Sequence, residues 1–184
     1  MGTPRFDPTH SLEFNLDRGS VKLSGSLERV LLPADALASL LRGADNDTKR
    51  DFARRLGTEA GRRVAERLDA NAGADAVVEH LGGEIALMGL GSVALERWGR
   101  VLVVTVSGSP LRAEGDEVLA GVIEGALQRG FGRTAAVVPL QRDDSLVRLL
   151  VVSPQTADRV RGWLGSGVSW GDALGRLNAS EGAS

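Results

Sequence analysis

The chain has no cysteine and no tyrosine, only two histidines, and an aromatic content limited to three tryptophans and four phenylalanines. Without thiols there can be no disulfide, no thiolate nucleophile and no zinc–thiolate centre. His10 and His80 are far apart, and nothing has H-x-x-x-H spacing, so no metal site and no cofactor is expected. No run approaches the roughly 18 apolar residues of a membrane span, and residues 1–10 contain no apolar stretch resembling a secretion signal. The cytoplasm is therefore the expected location. A formal charge of −2 lacks the basic excess of a nucleic-acid-binding domain.

What is present fits one globular domain. The 184 residues are 42% hydrophobic and 25% charged, enough to bury a core without staples. We expect a single domain over residues 10–177, with polar ends at 1–9 and 178–184 disordered. The abundance of Ala, Gly, Arg and Val suggests a bacterial gene.

The clearest pattern runs from Ser92 to Leu127. Residues 93–98 alternate as a half-buried strand, Gly99 and Arg100 turn, and residues 101–106 (VLVVTV) read as a central strand covered on both faces. A helix over 116–129 follows, with Gly121 and Gly125 one turn apart. Glycine inside a helix costs roughly 1 kcal/mol relative to alanine, so a close neighbouring backbone is implied. Upstream, residues 11–16 and 20–27 read as a hairpin, with 29–32 extending its second strand. A short helix spans 35–42. A long one begins at caps offered by Asn46-Asp47-Thr48 and ends near Leu68. Its stripe Phe52, Leu56, Ala60, Val64 lies beside Gly57 and Gly61, and its many arginines and carboxylates read as a solvated face of i, i+4 pairs. Asp75 caps a helix to Met88. Residues 134–141 and 146–152 form another hairpin, with Pro139 placing the first strand at an edge or bulge. Helices over 154–164 and 170–177 close the chain.

Motifs that could carry chemistry have simpler readings. Gly167-Val168-Ser169-Trp170-Gly171 matches G-x-S-x-G, but a helix precedes it where a nucleophile elbow needs a strand, and both histidines lie upstream. Asp143 and Asp144 are turn formers. Gly89-Leu90-Gly91 and Gly130-Phe131-Gly132 lack the third glycine of a dinucleotide loop. No nucleophile, base and orienter come together, and we expect no enzyme.

Residues 52–68 (FARRLGTEAGRRVAERL), 89–111 (GLGSVALERWGRVLVVTVSGSPL) and 116–141 (DEVLAGVIEGALQRGFGRTAAVVPLQ) together resemble the bacterial 4-vinyl reductase domain family and its relatives, the TRAPP core subunits of vesicle tethering. The resemblance implies an α/β (α+β) fold, an antiparallel sheet of hairpins covered by helices, paired through a helical face. This chain lacks the cysteine-rich closing segment of the ligand-sensing members and the acylated cysteine of TRAPP subunits. A more distant likeness is to an accessory subunit of cellulose synthase.

Composition and resemblance together point to a non-enzymatic homodimeric adaptor or scaffold that assembles with another bacterial protein complex. The expected dimer face is Leu37, Leu41, Phe52, Leu56, Gly57, Ala60, Gly61 and Val64. The alternatives are a sensor or carrier of a small hydrophobic ligand, in an apolar pocket at Trp98, Val122 and Phe131, and an accessory subunit of a polysaccharide (cellulose) synthase assembly.

Overall fold

The computed structural model describes residues 6–7, 12–23, 27–69, 72–144 and 146–181. His10 and most of the expected disordered ends lie outside them. Strands β1 (Leu12–Asn15), β2 (Ser20–Leu23) and β3 (Leu27–Arg29) form a small antiparallel sheet in that order. Helices α1 (Ala34–Arg42), α2 (Asn46–Arg67) and α3 (Ala74–Leu87) follow, then the hairpin β4 (Ser92–Trp98) and β5 (Val101–Ser107). A 3-10 turn (Arg112–Gly115) leads into α4 (Asp116–Phe131). The hairpin β6 (Ala136–Arg142) and β7 (Leu146–Val152) and helices α5 (Pro154–Gly165) and α6 (Trp170–Glu181) complete the chain. The main sheet has the order β4-β5-β7-β6 and is antiparallel throughout, so the expected α/β architecture is the one observed.

That sheet carries a core on each face. Opposite residues across a ladder share a face. Val104 and Leu149 join α2, α3 and α4 in one core, while Val103, Leu150 and Val138 join α5 and α6 in the other. Strand β5 is apolar on both sides because both sides are covered, as its sequence suggests. Pro139, which cannot donate to a ladder, sits on edge strand β6, where the register shifts between Pro139 and Gln141.

Several local expectations need correction. Residues 27–29 do not prolong β2; they fold back as β3. Helix α2 is capped by Asp45, one residue earlier than expected, whose Oδ1 accepts the Thr48 N–H at 2.7 Å. That hydrogen bond holds the Asp45 carboxyl below the usual range. Asp75 lies in the first turn of α3, and Gly73 occupies the cap position. Helix α6 continues through Glu181, and Asn178 is tied to the β4–β5 turn: its Oδ1 accepts the Arg100 N–H at 3.0 Å and its Nδ2 donates to the Trp98 carbonyl at 3.2 Å. The positive φ of Gly99, 65°, makes this turn possible.

Candidate functional site

The glycines anticipated for close contact find their partner inside the chain. Helices α2 and α4 cross with backbone against backbone: a methyl group on Gly57 would fall 2.0 Å from the Val122 carbonyl oxygen, and one on Gly61 2.4 Å from that of Ala126. Reciprocally, Gly121 meets Ala53 and Arg50, and Gly125 meets the Arg54 carbonyl. This corrects the expected dimer face. Gly57, Ala60, Gly61 and Val64 are buried against the same chain, as is Leu41 in the core, so a second copy cannot reach them while the helix pair is closed. Of that set Phe52 is exposed, and Leu37 and Leu56 are half-buried.

The arginines of α2 likewise depart from a purely solvated face. Arg50 donates to Glu124 on α4 at 2.6 Å, to Glu117 at 2.5 Å and to the Val137 carbonyl of β6 at 3.0 Å. Arg54 reaches the other Glu124 oxygen at 2.9 Å. Toward the other end of α2, Arg63 pairs with Glu84 of α3, a carboxylate with no exposed surface, and Arg67 donates to the same group at 2.8 Å. Arg29 of β3 faces this cluster, and burial together with the charge of Arg63 lowers its pKa. The i, i+4 pairing that the pattern suggested survives at Arg62, which binds Glu66, and Arg62 also binds Glu59 three residues earlier. Hydrogen bonding from Arg62 lowers the Glu59 pKa despite partial burial. The signal for the buried pairs is a single glutamate inside each of two otherwise apolar stretches, Glu84 in LGGEIAL and Glu124 in VIEGAL.

Trp98, Val122 and Phe131 are not brought together. Trp98 lies opposite Val101 and therefore on the α5–α6 face, where its ring meets Trp170 edge-on at 5.2 Å and Nε1 donates to Glu96 at 2.9 Å. Val122 is fully buried beneath Gly57, and Phe131 packs against the core that holds Val122, on the other side of the sheet. A cleft of about 240 Å³ opens elsewhere, lined by Arg100, Val101, Val152, Ser153, Thr156 and Leu177. Ser169 of the G-x-S-x-G match caps α6: its Oγ donates to Asp172 at 2.7 Å and accepts the Asp172 N–H at 3.1 Å. Asp143 accepts the Leu146 N–H in its turn. Among the described residues no group of three or more His, Asp and Glu could hold a metal, and no helix is long and apolar enough to cross a membrane.

The most conspicuous surface is apolar and N-terminal. Phe14 is 59% exposed and Leu16 89%; Val30, Leu31 and Leu32 stand open before α1; Leu40 on α1 is 73% exposed. On the small sheet, Leu12, Phe14, Val21 and Leu23 share one face and Glu13, Lys22 and Glu28 line up across the other. The apolar face is buried at Leu23 and uncovered at Phe14, so the sheet overhangs its own body along β1.

These layers define an α/β domain with an antiparallel sheet covered by helices, the architecture that the sequence resemblance implied. No family model matches the chain, and no curated protein matches it in sequence. Among solved structures, the phenol-responsive sensory domain of the transcription activator PoxR, determined with phenol, is similar over 77% of this chain and 85% of that one, with a TM-score of 0.57 and 17% identity. A trafficking protein particle complex subunit 3 from Naegleria fowleri, covalently bound to palmitic acid, is similar over 66% of this chain and 83% of that one, with a TM-score of 0.41 and 14% identity.

Proposed function

We propose that this chain is a non-enzymatic assembly domain of the bacterial cytoplasm that pairs with a second copy of itself and presents the pair as an adaptor to another protein. The observation that carries this reading is the apolar overhang. Large contiguous apolar surface on a globular domain marks a contact site. Here Leu12, Phe14 and Leu16 of the N-terminal region project beyond their own body, and Leu40 and Phe52 stand exposed on α1 and α2. The occupant we favour is a second copy, because the overhanging face is the continuation of a face that already packs on this fold.

The test is mass in solution. Light scattering at tens of micromolar should give twice the 19.3 kDa of one chain. Phe14→Asp, at a position too exposed to disturb the monomer, should weaken pairing at least thirtyfold, the effect of losing a hot-spot aromatic of about 2 kcal/mol. A wild-type mass of one chain would end the reading.

A second reading, a sensor of a small hydrophobic molecule, draws support from the likeness to the PoxR sensory domain. Its pocket would be the cleft beside Arg100, since Trp98, Val122 and Phe131 are divided between the two faces of the sheet. Native mass spectrometry separates the readings: a co-purified small molecule favours the sensor, and an empty dimer favours the adaptor.

A further inference from the structure

The cleft at the end of the β5–β7 ladder has two unlike walls. Leu102 and Val151 face each other across that ladder and, with Val152 beside them, give the cleft an apolar floor that is only half-buried. The opposite wall is polar: Arg100 from the β4–β5 turn, and Ser153 and Thr156 from the start of α5. Among the described residues no carboxylate lines the cleft.

The polar wall is held in place before any ligand arrives. Asn178 accepts the Arg100 N–H and donates to the Trp98 carbonyl, which fixes the turn that carries the guanidinium. Thr156 is 9% exposed, and its hydroxyl oxygen lies 2.9 Å from that of Ser153. Ser153 Oγ also accepts the Thr156 N–H at 3.3 Å, and Thr156 Oγ1 accepts from Arg159 at 3.4 Å. Two hydroxyls here share a single hydrogen bond. Whichever of them donates it, the proton of the other is left without an acceptor among the described residues. That spare donor, the Arg100 guanidinium and the positive end of the α5 dipole all belong to one wall.

Water alone would serve this wall and leave the apolar floor wet. A ligand that satisfies both carries a negatively charged acceptor at one end and hydrocarbon at the other. The volume limits its length. Drug-sized ligands fill roughly 300–1,000 Å³, so a cleft of about 240 Å³ takes a short chain and not a long acyl tail.

We infer that the cleft binds a small carboxylic acid, its carboxylate on Arg100 and the Ser153–Thr156 hydroxyl pair and its short apolar tail on Leu102, Val151 and Val152. The inference rests on the sensor reading and names the class of its ligand. A carboxylate presents two oxygens in one plane, which is the shape a guanidinium fork binds best.

Titration of the ¹⁵N-labelled chain with butyrate, with its neutral isostere butyramide and with inorganic phosphate tests it through the amide shifts. Butyrate should move the amides of Val101, Leu102, Ser153 and Thr156 and bind at least tenfold more tightly than butyramide. Phosphate, which has the charge and no tail, should bind at least threefold more weakly than butyrate. Arg100→Gln, in an exposed turn, should weaken butyrate at least tenfold, and Thr156→Val, which keeps the shape and removes the hydroxyl, at least threefold. Equal binding of butyrate and butyramide, shifts confined to other residues, or an affinity that Arg100→Gln leaves unchanged overturns the acid and leaves the sensor reading standing. Phosphate binding as tight as butyrate overturns the role of the tail. If none of the three probes binds, the acid inference falls, and native mass spectrometry decides the rest: a co-purified neutral molecule keeps the sensor reading, and an empty chain ends both.

Discussion

Gly57→Ala is expected to cost about 3 kcal/mol or more, a large share of the roughly 5–15 kcal/mol that keeps an ordinary domain folded. The added methyl would lie 2.0 Å from the Val122 oxygen, 2.8 Å from its carbonyl carbon and 2.9 Å from its Cα. All three are backbone atoms, so no side chain can rotate away; α2 and α4 must separate by more than an ångström. That separation would open voids along the pair and stretch the bonds from Arg50 and Arg54 to Glu124. The helix propensity gained by replacing glycine, about 1 kcal/mol, offsets only part of the loss. Gly162→Ala is the control, because nothing lies within 4 Å of that exposed position of α5 and the same propensity gain should there appear as net stabilisation. Urea midpoints of the two variants against wild type check both. Equal midpoints would mean that α2 and α4 do not cross backbone to backbone.

Glu124→Ala should cost a similar amount for an electrostatic reason. The carboxylate is 6% exposed and accepts from Arg50, from Arg54 and, at 2.9 Å, from the buried N–H of Val137. Alanine would leave that N–H without its acceptor and Arg50 supported only by Glu117 and the Val137 carbonyl. Truncating one partner of a buried ion pair typically costs about 3–5 kcal/mol, because the remaining charge stays in a poorly solvating place. Glu124→Gln keeps an acceptor oxygen and the volume, so its loss should be smaller. Thermal unfolding of the two variants measures the difference, and equal losses would show that shape, not charge, is what position 124 supplies.

Much of the fold is legible from periodicity. The VLVVTV strand, the Gly99 turn, the edge placement of Pro139 and the apolar helix after residue 115 each follow from local chemistry that tertiary packing then reinforces. Close approach is legible too, but not its direction. Small residues four apart state that a backbone comes near, and the same spacing at Gly121 and Gly125 belongs to the helix that comes near. The pairing of two such helices within one chain is a long-range fact that neither segment contains. The arginines mislead for a related reason: on α2 alone, i, i+4 partners satisfy the pattern, whereas Arg50 and Arg63 turn to Glu124 and Glu84 on other helices. Strand β3 is hidden because three residues cannot show a period. Residue type alone suggests an apolar pocket for Trp98, while strand register puts it on the sheet face opposite Val122.

Because β5 and β7 lie between the two cores and pair with each other, their peptide hydrogens can meet solvent only when one whole layer of helices lifts away. In deuterium these amides should therefore be the last to exchange, on the timescale of complete unfolding, while those of β1–β3 are replaced first. The domain has a slow centre and a quick N-terminal margin, and it is the margin that is free to take up a new neighbour without disturbing the centre.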